Sequence, residues 1–316
     1  METGLELRMT KLPVFLLALF VVAAPPLRAQ TKEKKAPAPF QWSNPVSQKQ
    51  LDSKGAPKSL RHGTFTSPSM GVDVGYFIYL PPGYDVAKDE RYPVVYHLHG
   101  GRPGSEAKSF SLSKFVDGAI QKGEIEPTIY VYPNGGPVSW YDMPDRERAM
   151  GETVFVDELI PHIDETFRTI SERGSRGIEG FSQGGRGTTR ILFKHPQYFG
   201  SAAPGGSGYE PEQRIQQNDG YENESLRFLP IGYNTWDLAM RYVDSKPSEP
   251  LPILLWVGTK GFNFEFNKLY SAYLTELEIP HEMLIAEGIA HSASGVYEKR
   301  GTELMQFHQR NFGRLK

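Results

Sequence analysis

Arg176-Gly177-Ile178-Glu179-Gly180-Phe181-Ser182-Gln183-Gly184-Gly185 runs a short strand-like segment into a glycine-flanked serine and on into a helical pattern expected from Gly185 to His195. Its centre, Gly180 to Gly184, fits G-x-S-x-G, in which the serine occupies a sharp strand-to-helix turn. Glycines are needed on both sides because neighbouring backbones approach too closely for a side chain. Such a turn presents the Ser182 hydroxyl at the strand end, above the positive end of the helix dipole. In a chain with 32 glycines the pattern alone arises readily by chance. The strand before it and the helix after it make Ser182 a candidate nucleophile rather than a plain Gly-rich turn.

Strand-like and helix-like segments alternate around this point. Val74 to Leu80 is β-rich and stops at Pro81-Pro82-Gly83, and Tyr92 to Leu98 is a nearly continuous β-branched and aromatic run ending in Gly100-Gly101. Ile129 to Tyr132 ends in Pro133-Asn134-Gly135-Gly136, and Leu251 to Val257 ends in Gly258. Between them Phe155, Leu159, Ile163 and Phe167 recur at helical spacing. The pattern predicts a mainly parallel sheet flanked by helices, with ligands at the carboxyl ends of the strands. A serine nucleophile needs donors for an oxyanion. The Gln183 N–H is one, and the loop His99-Gly100-Gly101-Arg102 stands where the second is expected, from Gly100 or Gly101.

The rest of the sequence bounds the chemistry. The chain has 316 residues, enough for one large α/β domain. Its 35 Lys+Arg against 37 Asp+Glu give no electrostatic footprint for nucleic acid. With no Cys, disulfides, thiolate metal sites and cysteine nucleophiles are excluded together. Arg8 and Lys11 precede the short apolar run Leu12 to Ala24, and Leu27-Arg28-Ala29 follows, as in a secretory signal peptide cleaved after Ala29. Met9 is an alternative start and a retained anchor the alternative fate. The expected organisation is a signal peptide over 1–29, a Lys/Pro-rich flexible spacer over 30–59 and one catalytic domain over 60–316. Export implies a secreted or periplasmic protein with no stable membrane anchor.

Four segments in order, Tyr79-Leu80-Pro81-Pro82-Gly83-Tyr84, Tyr92 to Gly101, Asp157 to Asp164 and Gly180 to Gly185, resemble the esterase D and family 1 carbohydrate esterase group of α/β-hydrolases. The likeness covers roughly Gly75 to Phe307. It implies the α/β-hydrolase fold and acyl transfer through a serine ester without cofactor. The group includes feruloyl and acetylxylan esterases, S-formylglutathione hydrolases, siderophore esterases and mycolyltransferases.

In this fold the base follows the nucleophile late in the chain. Of His281, His291 and His308, only His291 lies in a loop just after the expected last strand, Glu282 to Ala286. The aromatic residue that the group usually carries after this histidine is replaced here by Ser292, Ala293 and Ser294. His97 and His99 share a strand face, but no third metal ligand is evident. The triad acid is the weak point. Where the group commonly has Asp, this chain has Gly261. Glu265 preserves the charge and is preferred, with Asn263 as a neutral alternative and Asp237 or no acid remaining. Trp140 and Tyr141 follow a strand end and are expected to bind substrate by stacking, against the plain reading of packing. The long stretch Pro204 to Pro250, with Tyr209 and Trp236, is a candidate cap. The reading is a serine esterase acting on feruloyl or acetyl esters of plant polysaccharide. A siderophore or other small-ester hydrolase, and a carbohydrate-binding protein that has lost catalysis, are the alternatives.

Overall fold

The computed structural model describes residues 40–143, 147–209, 232–245, 247 and 249–314, together with Met1. The expected signal peptide and the first part of the expected spacer lie outside them, as does 210–231 of the candidate cap. The compact unit that carries the sheet runs from Phe40 to Lys316.

Its eight strands are β1 (Leu60–Thr66), β2 (Asp73–Tyr79), β3 (Val94–Leu98), β4 (Ile129–Pro133), β5 (Arg176–Phe181), β6 (Ser201–Gly205), β7 (Leu254–Lys260) and β8 (Glu282–Ala290). They lie in the order β1-β2-β4-β3-β5-β6-β7-β8. From β4 to β8 every neighbouring pair is parallel, and β2 alone runs against its neighbours. The expected parallel sheet flanked by helices is therefore present. Its central strands read as unbroken apolar runs because both faces are covered. In β3, Val94, Tyr96 and Leu98 enter one core and Val95 the other.

One core takes α5 (Gln183–Lys194), α6 (Thr235–Asp244) and α7 (Phe264–Glu276) through Ile191, Leu238 and Tyr270. The opposite core takes α2 (Ser113–Gln121) and α8 (Ala293–Asn311) through Val116, Leu304 and Phe307. The helix expected from Phe155 is a continuous run in which α3 (Gly151–Thr153) and α4 (Ile160–Thr166) flank the π-turn Val154–Leu159. A repeat of four drifts off the face of a 3.6-residue helix, and the wider π-turn keeps Phe155, Leu159 and Ile163 all buried.

The spacer boundary needs correction. Residues 40–59, expected to be flexible, are part of the compact unit. Trp42 is only 4% exposed; its carbonyl accepts from the Gly75 N–H at 2.7 Å and from Asn134 Nδ2 at 2.9 Å, and its indole N–H donates to Arg148 O at 3.1 Å. The Asn44 N–H donates to the buried Glu106 carboxylate, which also meets His62 Nε2 at 3.0 Å and accepts from Asn134 Nδ2 at 2.8 Å. Helix α1 (Gln48–Ser53) then opens on a Ser47/Gln50 capping box. One large aromatic in a polar stretch produces no periodicity, yet its burial anchors the whole segment. Trp42→Ala should lower the unfolding free energy by about 3–5 kcal/mol in urea denaturation. An unchanged midpoint would show that this segment contributes nothing to the fold.

Candidate active site

The sheet registers gather the site. Leu98 is opposite Gly180 and Phe181 opposite Gly205, so the ends of β3, β5 and β6 stand side by side. Lys260 is opposite Ala290, so the loop after β7 and His291 after β8 emerge together at the same carboxyl edge.

Ser182 sits at φ 60° and ψ −113°, a conformation that non-glycine residues rarely adopt. It is held by its own N–H donating to Gly205 O at 2.8 Å and its carbonyl accepting from Arg186 N–H at 3.0 Å. The flanking glycines are steric necessities. A Cβ at Gly180 would lie 2.5 Å from Gly184 O, and one at Gly184 only 1.9 Å from Leu98 O.

The glycine loop after β3 lies against this turn, since a Cβ at Gly100 would stand 3.1 Å from Ser182 Cβ. Lys108 Nζ donates to Gly100 O at 3.3 Å, and Ser139 Oγ to Gly101 O at 2.7 Å. Each donor holds a carbonyl, and in a planar trans peptide the next N–H points the opposite way. The N–H groups of Gly101 and Gln183 have no protein acceptor among the described residues. His99 is locked beneath the loop, with Nε2 accepting from Gly135 N–H at 2.9 Å and Nδ1 facing Gly100 O at 3.2 Å. Burial pushes its pKa down to about 3, so it is a neutral strut. His97 is equally buried, with Nδ1 2.7 Å from Glu179 Oε1.

His291 contacts two aromatic rings, Phe181 at 4.5 Å and Phe262 at 4.3 Å between centroids. Burial holds its pKa below the usual histidine value. Its Nδ1 is 3.2 Å from Asn263 Oδ1. Asn263 is 5% exposed, and its Nδ2 donates to Gly206 O and, at 3.1 Å, to Ser207 O. Two carbonyls can be met only by the amide NH₂, which leaves Oδ1 for the imidazole. His291 must then carry its proton on Nδ1, and the lone pair on Nε2 is free. Asn267 completes the support, with Nδ2 donating to Asn263 O at 2.8 Å and to Ser207 O at 2.9 Å.

The structure thus replaces the preferred acid. Glu265 is on the outer side of the first turn of α7, its side chain 70% exposed and paired with Lys268 at 3.1 Å. Asn263, two residues earlier at the helix N-cap, faces inward instead. Asp237 accepts from Asn234 Nδ2 at 2.9 Å within the cap of α6. Gly261 does border the imidazole: a Cβ there would lie 3.7 Å from His291 Cα and 3.2 Å from Asn263 Oδ1. The other late histidines are engaged elsewhere, His281 with Ser271 Oγ at 2.7 Å and His308 with Ser201 Oγ at 2.7 Å.

Trp140 and Tyr141 also need correction, since they are 0% and 1% exposed and form no open stacking surface. The Trp140 indole N–H donates to His99 O at 3.1 Å, and the ring packs on His99 beneath the glycine loop. The Tyr141 ring lies 4.0 Å from the Arg190 guanidinium. Burial recovers more free energy from such large rings than exposure at a cleft mouth would. Tyr209 and Trp236, expected in a cap, are packing residues: Tyr209 stacks on Tyr270 at 3.7 Å, and the Trp236 indole donates to Tyr209 O. The sequence reading gave no role to Asn267 or Phe262. The four-residue step from Asn263 to Asn267, which places both on one helix face, was the available signal.

The Esterase family model matches residues 67–279, about two thirds of the chain. An esterase of Mycobacterium tuberculosis is 32% identical over 194 residues, which cover 57% of this chain and 41% of the relative. An endo-1,4-beta-xylanase/feruloyl esterase of Xylanibacter ruminicola is 33% identical over 176 residues, or 49% of this chain and 23% of the relative. The matches thus span less than half the length of these curated relatives. A solved ferulic acid esterase aligns with a TM-score of 0.65 at 22% identity, over 80% of this chain and 98% of that one, and shares the α/β-hydrolase fold. With a match that takes in the Gly100-Gly101 loop, Ser182 and Asn263, the chain belongs to the esterase family.

Proposed function

We propose that this protein is an exported serine esterase that hydrolyses carboxylic esters through an acyl-enzyme, with feruloyl or acetyl esters of plant polysaccharide as its substrate class. The observation that carries the reading is the Asn263-tethered His291, whose free Nε2 belongs to the same strand-end cluster as the strained Ser182 turn. The similarity to a xylanase/feruloyl esterase supports the substrate class.

In this mechanism Ser182 Oγ attacks the ester carbonyl carbon while His291 Nε2 takes its proton. The resulting oxyanion is met by the N–H groups of Gln183 and Gly101, with no reorganisation at the moment of charge development. Collapse of the tetrahedral intermediate breaks the bond to the alcohol oxygen, which leaves with the proton from His291. Water then attacks the acyl-serine by the same route and releases the acid. No cofactor enters.

The neutral tether sets the rate. Replacing the triad Asp by Asn in a serine protease lowers turnover about 10⁴-fold, because the imidazole adopts the wrong tautomer. Here the Asn263 NH₂ is held by Gly206 and Ser207, so the tautomer is correct and only the stabilisation of the imidazolium is lost. The penalty is smaller than that figure. A second reading, a binding protein that keeps the cleft without turnover, is favoured by the same lack of a carboxylate on His291 among the described residues.

Hydrolysis of methyl ferulate and of a short-chain chromogenic ester by the mature protein should vanish in Ser182→Ala. A well-folded wild-type protein without turnover would select the binding reading. Asn263→Ala should lower kcat by roughly ten- to a hundredfold. Asn263→Asp should fail to improve on the wild type, because one carboxylate oxygen would face the Gly206 and Ser207 carbonyls; a faster Asp variant would refute this account of the tether. Since neutral His291 is the active form and burial lowers its pKa, kcat/KM should persist below a pH of about 6.5 and fall only as pH drops through the lowered value. Gly261→Asp, which places a carboxylate beside the imidazole, should move that limb to higher pH.

A further inference from the structure

Phe262 stands apart from the other aromatic residues around the strand ends. It is 83% exposed, whereas Phe181, Trp140 and Trp256 are packed into the body of the protein. Its position is fixed from both sides: Gly261 precedes it in the tight turn closed by Gly261 N–H on Gly258 O at 3.0 Å, and the inward-facing Asn263 follows it. Its ring contacts the imidazole of His291, 4.3 Å away with the planes inclined at 45°. The partly buried Phe181 also contacts that imidazole, at 4.5 Å between centroids. Packing of the fold does not call for a phenyl ring held open to water at this point.

The chemistry identifies what lies beside it. The group that takes the serine proton must return it to the leaving oxygen, so the alcohol half of the ester has to lie within about 2.6–3.2 Å of the His291 nitrogen that carries that proton. The acyl carbonyl oxygen is bound elsewhere, at the Gly101 and Gln183 N–H groups. A ring tilted against the imidazole therefore stands next to where that alcohol has to lie. The charged side chains in the first turns of the helix that follows, Glu265 and Lys268, pair with one another at 3.1 Å, and the Phe262 ring itself offers the alcohol a flat, apolar face.

We propose that Phe262 is the platform of a leaving-group subsite, and that it takes the C–H-bearing face of a sugar ring whose hydroxyl is esterified. This rests on the esterase reading above and adds the alcohol side of the substrate to it. The subsite acts on acylation alone, since the alcohol has departed before water attacks.

The test holds the acyl group constant and changes the alcohol. Feruloyl arabinose and methyl ferulate are compared on wild type, Phe262→Ala, Phe262→Leu and Phe262→Trp, with kcat/KM and the deacylation rate measured for each. The ratio of kcat/KM for the sugar ester to that for the methyl ester should fall about tenfold in the Ala and Leu variants and recover in the Trp variant. The deacylation rate of the common feruloyl-enzyme should be the same from either ester. An equal loss on both esters, with the ratio kept, would overturn the proposal and leave Phe262 as a cover for the imidazole. A ratio unchanged with no loss at all would overturn it as well. Failure of the wild type to turn over either ester is a different result: it removes the esterase reading itself, and the subsite with it.

Discussion

The N-terminus of α5 rests directly on the last peptide of β3, so closely that a Cβ at Gly184 would stand 1.9 Å from Leu98 O. Everything at the carboxyl edge depends on that approach. It forces Ser182 into its positive-φ turn, and the Gly205 carbonyl on β6 and the Arg186 N–H in α5 hold the turn there. Strain of this kind, on the order of 1–3 kcal/mol, persists only where the surroundings over-determine it. Here the surroundings are three parallel strands ending at one level, with a helix that has no room to retreat.

Buried charge supplies the rigidity. Glu179, three residues before Ser182, is fully enclosed; it meets His97 of β3 and Tyr297 of α8, and His308 Nε2 stands 3.4 Å from it. Burial alone would raise its pKa, but the adjacent imidazoles of His308 and His97 outweigh this and hold the carboxyl below its usual range. His308 passes the connection on to Ser201 of β6. One carboxylate thus ties the three central strands to the C-terminal helix just beneath the serine turn. On the opposite face, Glu152 gathers Arg190, Lys194 and His195, and fastens α5 to α3. Pairs of this kind add little net stability over an apolar core, but losing one partner strands the other and costs about 3–5 kcal/mol. Their contribution is positional precision.

How much of this was legible in the sequence followed from the range of each interaction. The parallel sheet was readable because buried strands must be apolar on both faces, as in Tyr92 to Leu98. The serine turn is readable because its glycines stand at a fixed local spacing, even though Gly184 is dictated by Leu98 of β3 rather than by a sequence neighbour. The spacer boundary was not, since Trp42 is anchored by Gly75, Asn134 and Arg148, contacts that leave no trace in the composition around it. Trp140 and Tyr141 were placed correctly at a strand end, but which way they turn depends on His99 and Arg190, each brought there by a different element. In the sequence Glu265 is preferred because it is the nearest acid onward, keeps the charge and has the longer reach. Whether a side chain at the start of α7 faces the sheet or the solvent is set by helix phase, and one step of two residues separates Asn263 from Glu265.

The amide at position 263 is better understood as a consequence of its surroundings than as a degraded acid. Its NH₂ meets the carbonyls of Gly206 and Ser207, whose own direction is fixed by the turn after β6 and by Asn267. A carboxylate in that place would press an unprotonated oxygen against two carbonyl oxygens in a buried setting, where an unmet polar group costs about 1–3 kcal/mol and a charge more. An Asp at 261 would avoid those carbonyls, though its Cβ would stand 3.1 Å from Gly258 O, and the chain has glycine there, just before the exposed Phe262. The same loop thus gives the imidazole a neutral tether in Asn263 and an exposed aromatic neighbour in Phe262. In the proposed reaction, charge stabilisation falls on the N–H groups at the start of α5 and after β3, beside which Gly184 packs on Leu98.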